Sequence, residues 1–272
     1  MRVWPTSRWQ GFCYGFRMHM HPENLPRITQ ATALFLDFDG TLVALASQPE
    51  LVEVPLGLTN TLAALYRQTN GALALVSGRA LFDLDGFLAP LLLPASGEHG
   101  AQRRTAGGLL VSAPPVDLQQ VLQAAEGLTY LHPGLRLERK NLVLSLHYRH
   151  APELENLCLQ VMREAVERST GIELMHGKFV IDLKPSGFSK GTAIEAFMNE
   201  EPFAGRIPIF AGDDVTDEAG FEQVQRMGGN AIKVGPGPTV AQHRCVSVTQ
   251  LTEWLQLAST FLPKTGSLGL SA

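Results

Sequence analysis

Short apolar runs, each closed by polar residues and followed by a helical spacing, recur along most of this chain. The first, Leu34-Phe35-Leu36, reads as a fully buried parallel strand that stops at Asp37. Residues 55–66 then put Leu56, Leu58, Leu62, Ala63, Leu65 and Tyr66 at the spacing of one helical face. Ala72-Leu73-Ala74-Leu75-Val76 predicts a second buried strand ending in Ser77-Gly78-Arg79, and residues 81–88 predict the next short helix. Pro94-Ala95-Ser96-Gly97-Glu98-His99-Gly100-Ala101 begins a third loop of this kind. The rhythm predicts an α/β fold with a doubly wound, Rossmann-like parallel sheet as its core.

From about Gln102 the texture changes. Gly107-Gly108 predicts a hairpin-like turn, residues 116–128 a helix, and residues 137–147 alternate as a strand should. A second helix is expected over 153–169, and a hairpin over 174–184 turning near His176-Gly177. Two strand-and-helix units of this kind predict a smaller α+β insert at residues 103–183. The βα rhythm returns where Ser189-Lys190-Gly191 opens a helix over 192–200. Ile207-Pro208-Ile209-Phe210-Ala211 then ends in Gly212-Asp213-Asp214, and Ala231-Ile232-Lys233-Val234 precedes Gly235-Pro236-Gly237. The expected core is therefore 31–102 with 184–262. Residues 1–30 read as a poorly ordered extension and 263–272 as a loose tail.

Composition narrows the class more than the fold. At 272 residues the chain has room for one large domain with an insert, and 45% hydrophobic against 18% charged residues is ordinary for a globular protein. A net charge of −4 without a basic run gives nucleic acid nothing to bind. No stretch reaches the roughly 18 to 20 apolar residues that cross a bilayer. Cys13, Cys158 and Cys245 are odd in number and far apart, which suits neither a disulfide framework nor a zinc site and points to the reducing cytoplasm. A cytoplasmic monomer with no nucleic-acid or membrane partner is expected.

In a parallel sheet the polar strand ends converge on one edge, where ligands bind. Asp37-Phe38-Asp39-Gly40-Thr41-Leu42 puts two carboxylates and a flexible glycine there, a set that can hold a hard cation such as Mg²⁺ or merely form a turn. Asp213-Asp214-Val215-Thr216-Asp217-Glu218 reads either as further metal ligands or as an acidic helix start. Ser77-Gly78-Arg79 offers a hydroxyl, backbone N–H groups and a guanidinium to a phosphate, or simply a helix cap. Lys190 at a helix beginning opposes the helix dipole unless an anion offsets it; a solvated surface lysine is the alternative.

Taken together and in order, Asp37-Phe38-Asp39-Gly40-Thr41-Leu42, Ser77-Gly78-Arg79, Ser189-Lys190-Gly191 and Gly212-Asp213-Asp214 resemble the four motifs of haloacid dehalogenase-type phosphatases. The resemblance implies Asp37 as the nucleophile that forms an aspartyl-phosphate and Asp39 as general acid and base. It implies Mg²⁺ held by Asp37, the carbonyl of Asp39 and Asp213, with Asp214 and Asp217 in support. Thr41, Ser77, Gly78, Arg79 and Lys190 would bind the phosphoryl group, Lys190 also neutralising Asp37.

Within that superfamily, Gly97-Glu98-His99-Gly100-Ala101, Leu137-Glu138-Arg139-Lys140, Leu146-His147-Tyr148-Arg149, Gly177-Lys178 and Lys184-Pro185 look like the trehalose-6-phosphate phosphatases, over about residues 33–255. That resemblance makes the insert a mobile cap whose Glu138, Lys140, Lys178 and Asp182 grip sugar hydroxyls, with His147 and Arg149 as secondary candidates. The family often has glutamate where Asp182 stands, so reach there is shorter by a methylene. Rival readings are a phosphatase for sucrose-phosphate or glucosyl-glycerate phosphate, a phosphosugar mutase, and a non-catalytic sugar-phosphate-binding module. Binding alone requires neither a nucleophile nor an acid, which disfavours the last.

Overall fold

The computed structural model describes residues 25–260 apart from Ser47. Most of the expected extension 1–30, the tail 263–272 and Cys13 lie outside the described residues. Among the described residues twelve strands form two sheets. In the larger sheet β1 (Thr32–Leu36) lies between β10 (Ile207–Gly212) and β2 (Leu73–Val76), paired in parallel with both. The parallel array continues through β11 (Asn230–Val234) to β12 (His243–Cys245) on one side and to β3 (Ala95–Gly97) on the other.

Alternation along β1 explains why both faces are covered. Leu34 and Leu36 enter one apolar cluster with Leu58, Leu62 and Leu65 of α1 (Leu58–Gln68), Leu84 and Leu88 of α2 (Leu81–Leu88), and Trp254 of α7 (Val248–Thr260). Ala33 and Phe35 enter the other with Ile194 and Phe197 of α5 (Lys190–Met198) and Phe221 of α6 (Glu218–Arg226). Successive strand residues point to opposite faces, so a continuous apolar run needs helices on both sides. Helix α5 starts where it does because of a capping box: Thr192 N–H donates to Ser189 Oγ at 3.1 Å, while Ser189 N–H donates to Thr192 Oγ1 at 2.9 Å.

The smaller sheet has the order β6-β7-β9-β8 and is antiparallel throughout. Its strands are β6 (Arg136–Arg139), β7 (Leu144–His147), β8 (Ile172–Gly177) and β9 (Val180–Pro185), covered by α3 (Gln119–Leu131) and α4 (Glu155–Glu167). Val121, Ala125, Cys158 and Met162 pack there against Leu144, Leu146, Ile181 and Leu183. This is a separate core with its own helices.

Four local expectations change. Residues 137–147 form a hairpin, β6 and β7, because Lys140 N–H turns back onto the Val143 carbonyl at 2.9 Å. The second hairpin turns at Lys178-Phe179, with Phe179 at φ +63°, rather than at His176-Gly177. Residues 95–97 add a strand within the expected third loop. Strands β4 (Gln102–Arg104) and β5 (Leu110–Ser112) fall inside the expected insert 103–183 but extend the large sheet from β3, so the smaller sheet begins only after them. Among the described residues no helix is long and apolar enough to cross a membrane.

Candidate active site

Strands β1 and β10 deliver Asp37 and Asp213 side by side, because the Asp37 N–H continues the ladder onto the Ala211 carbonyl at 2.9 Å. Gly40, at φ +75°, brings the following loop so close that a Cβ there would fall 2.1 Å from Asp213 Oδ2. Gly212 is equally constrained, its would-be Cβ lying 2.3 Å from Asp217 Cγ. These contacts permit no side chain, which is the physical reason for glycine at both places.

Lys190, the first residue of α5, sits at the centre rather than on the surface. Its Nζ donates to Asp37 Oδ1 at 2.7 Å and to Asp217 Oδ1 at 2.6 Å, and all three residues are buried. The other oxygen of Asp217 accepts from the N–H groups of Asp213 at 3.0 Å and Asp214 at 2.9 Å. Asp217 thus holds both Lys190 and the 213–214 turn. Thr41 Oγ1 donates to Asp37 Oδ2 at 3.3 Å. Asp214 caps the same turn by accepting from Val215 N–H at 2.8 Å. Lys233, which the sequence did not single out, donates to the Asp213 carbonyl.

One cation serves several carboxylates here. Burial pushes the Asp37 carboxyl well above its ordinary range; Lys190 opposes the rise, and Asp217 and Asp213 add to it. Burial, reinforced by Asp217 and Asp214, likewise pushes Asp213 up to about 7. Lys190 is buried too, but Asp217 and Asp37 raise its pKa and keep it charged. Oxygens of Asp37, Asp213 and Asp217 lie within 4.8 Å of one another. Two neighbouring carboxylates with raised affinity for protons, Asp37 and Asp213, fit a hard divalent cation, which would replace the proton and relieve the repulsion.

Arg79 is placed differently from a free phosphate clamp. Its Nε and Nη2 grip Asp39 Oδ2 at 2.6 Å and Oδ1 at 2.7 Å, and its guanidinium lies 4.8 Å from the centre of the Phe87 ring. Ser77 is buried in the same loop and accepts from Arg79 N–H at 3.3 Å.

The smaller sheet roofs this site. A cavity of about 500 Å³ is lined from below by Asp37, Asp39, Ser77, Gly78, Arg79, Lys190, Asp213 and Asp214, and from above by Glu138, Lys140, Lys178 and Asp182. Such a volume is ordinary for a small-molecule site. The upper residues differ in freedom. Lys178 is exposed at the β8–β9 turn. Lys140 Nζ donates to the Gly78 carbonyl at 2.9 Å, and Glu138 accepts from His147 Nε2 at 2.8 Å. Asp182 is buried, its Oδ2 2.9 Å from His99 Nε2 and its Oδ1 bonded to Ser145 Oγ. Burial opposes ionisation of Asp182, yet His99, Lys140 and Ser145 hold its carboxyl far below the usual range.

The β6–β7 turn is also tied to the core. Glu98, wholly buried, accepts from Asn141 N–H and Nδ2 at 3.2 and 3.1 Å and from Leu142 N–H at 2.7 Å. Neither this clasp nor the His99–Asp182 pair was legible as such. Both residues stand in the conspicuous run Gly97-Glu98-His99-Gly100, but their partners are distant in sequence.

Polar loops from parallel strands, converging on buried carboxylates and a lysine beneath an α+β unit, define a haloacid dehalogenase-like phosphatase fold. A Bacteroides thetaiotaomicron phosphatase of the haloalkanoate (HAD) superfamily shares it, with a TM-score of 0.58 and 14% identity over 89% of this chain and 98% of that one. The trehalose-phosphatase family model matches residues 35–249, and the chain belongs to that family of phosphatases. It is 38% identical to the trehalose-6-phosphate phosphatase of Escherichia coli strain K12 over 87% of this chain and 90% of that protein. The C-terminal domain of a C. albicans trehalose-6-phosphate phosphatase has the same fold, with a TM-score of 0.78 and 24% identity over 86% of this chain and 93% of that domain.

Proposed function

We propose that this enzyme hydrolyses trehalose 6-phosphate to trehalose and phosphate, using Mg²⁺, as the last step of trehalose formation. The observation that carries the reading is the Asp37–Lys190–Asp217 bridge at the floor of a roofed cavity. A carboxylate kept beside a buried ammonium can approach an anionic phosphate, which an isolated one cannot.

Asp37 attacks phosphorus through a carboxylate oxygen, and the phosphorus–sugar oxygen bond breaks. Asp39 gives its proton to the departing sugar oxygen. It then takes a proton from the water that attacks the aspartyl-phosphate, so phosphate leaves and Asp37 is restored. To act, Asp39 must exchange Arg79 for the ester oxygen. Thr41, Ser77, Gly78 N–H, Arg79 and Lys190 cradle the phosphoryl oxygens. Mg²⁺ would be held by Asp37, Asp213 and the Asp39 carbonyl, with Asp214 and Asp217 in support, and would screen charge between phosphate and nucleophile.

The unit carrying the smaller sheet serves as the cap in this reading, with Glu138, Lys140, Lys178 and Asp182 lining its side of the cavity. Its exclusion of water protects the phosphoenzyme. The free, buried Cys158 and Cys245 support a cytoplasmic setting, and the working state is a monomer acting on a small molecule. Phosphate release from a panel of sugar phosphates, with and without Mg²⁺, tests the whole reading. Selective, Mg²⁺-dependent turnover of trehalose 6-phosphate is expected; preference for sucrose phosphate or glucosyl-glycerate phosphate would refute the substrate.

A further inference from the structure

His99 is buried at the cavity wall, and its Nδ1 is a buried polar atom with no partner among the described residues. A bare buried acceptor costs about 1–3 kcal/mol of lost hydration unless a ligand satisfies it. Its sister atom Nε2 is engaged at 2.9 Å with Asp182 Oδ2, which in turn is held by Ser145. A carboxylate accepts only, so Nε2 carries the hydrogen and Nδ1 presents a lone pair. Burial also lowers the affinity of this imidazole for a second proton, against the pull of Asp182, which keeps Nδ1 an acceptor.

The ring is seated with care. A Cβ at Gly78 would fall 2.3 Å from His99 Cε1, so glycine there lets the imidazole pack directly against the Ser77-Gly78-Arg79 loop. His99 N–H donates to the Ser77 carbonyl at 3.1 Å. Glu98 and His99 both hold left-handed backbones, φ +50° and +57°, costly for side-chain-bearing residues. The three bonds from Asn141 and Leu142 to Glu98 hold that conformation in place.

We infer that His99 is a specificity-determining residue, its Nδ1 accepting a hydrogen bond from a substrate hydroxyl near the phosphorylated carbon, and that Asp182 acts as a positioning residue through His99 rather than by touching sugar. This rests on the trehalose 6-phosphate reading. It explains how an aspartate serves at a position where reach is short: the imidazole spans the gap.

His99→Gln places an amide N–H near the Nε2 position, keeping the tie to Asp182 while deleting the Nδ1 acceptor. The ratio of kcat/KM for trehalose 6-phosphate to that for p-nitrophenyl phosphate should fall about 10- to 30-fold, through KM, with kcat for the sugar ester changed less than about threefold. Asp182→Asn should show a loss of the same kind, and the double variant should lose no more than the larger single, since both act through one contact. An unchanged ratio in a folded His99→Gln protein overturns the inference. If that variant does not fold, ¹⁵N NMR of wild-type His99 decides: trehalose binding should shift the Nδ1 signal of an Nε2-protonated ring, and an Nδ1-protonated ring or an unmoved signal overturns it. A wild-type enzyme that cleaves p-nitrophenyl phosphate but not trehalose 6-phosphate overturns the functional reading and this inference together. Selective wild-type activity with an unselective variant loss overturns the inference alone.

Discussion

Asp37, Lys190 and Asp213 show why single side chains here are chemical before they are structural. In the proposed mechanism Asp37→Asn keeps the shape and an acceptor for Lys190 but removes the attacking charge, so phosphate release should fall by more than about 10³-fold while the melting temperature holds within a few degrees. Ordinary turnover by that variant would sink the mechanism. Asp213 gives a pH signature. Its pKa in the metal-free fold is raised to about 7, so the folded state binds more protons than the unfolded chain above the ordinary carboxylate value of 3.8. Stability of the metal-free protein should therefore fall as pH rises between those values. Mg²⁺ held as proposed would have to displace the proton, so its stabilising effect should be larger at pH 8 than at pH 5.5. Thermal unfolding with EDTA or with Mg²⁺ at both pH values reads this directly; equal shifts would argue against a metal held by Asp213.

At the scale of elements, the strand ends and the turns after them set the site's precision. Gly40 closes the β1 loop against Asp213, so Gly40→Ala adds left-handed strain of about 1–2 kcal/mol and drives a methyl into the carboxylate. Activity should fall on the order of 100-fold, because a displacement of about 1 Å at a reacting centre costs that much, while urea unfolding shows only the smaller strain. Activity within twofold of wild type would show that the loop can yield. Elements were legible where the pattern was long and one-sided: β1, β2, β10 and α2 fall where the apolar runs predict them. The 137–147 segment misled because its alternation continues across the turn, and only Lys140 N–H folding back onto Val143 makes two strands of it. Helix α6 was legible only as an acidic start and α7 not at all, and β4 and β5 joined the large sheet through pairing that period alone cannot reveal.

For the whole molecule, two separate cores meet at one cavity. Lys178 reaches that cavity from the exposed β8–β9 turn, so Lys178→Ala should raise KM for trehalose 6-phosphate about tenfold or more and leave a small aryl phosphate nearly unaffected, measured by phosphate release. Equal losses on both esters would exclude a sugar-gripping role. The sequence by itself determined the parallel core, the four polar loops and the family, because buried strands demand continuous apolar runs and parallel strand ends must share an edge. It also placed Asp37, Asp39, Ser77, Lys190 and Asp213 in those loops. What it left open was pairing: Arg79 bound to Asp39, Asp217 holding Lys190, Glu98 clasping the β6–β7 turn, and His99 tied to Asp182 with its own Nδ1 buried and, among the described residues, unpaired. Those contacts join residues far apart along the chain, and which charge meets which is fixed only when the backbone brings them within hydrogen-bond distance in a dry interior. Tertiary structure thus turned a set of plausible ligands into partners with unequal duties.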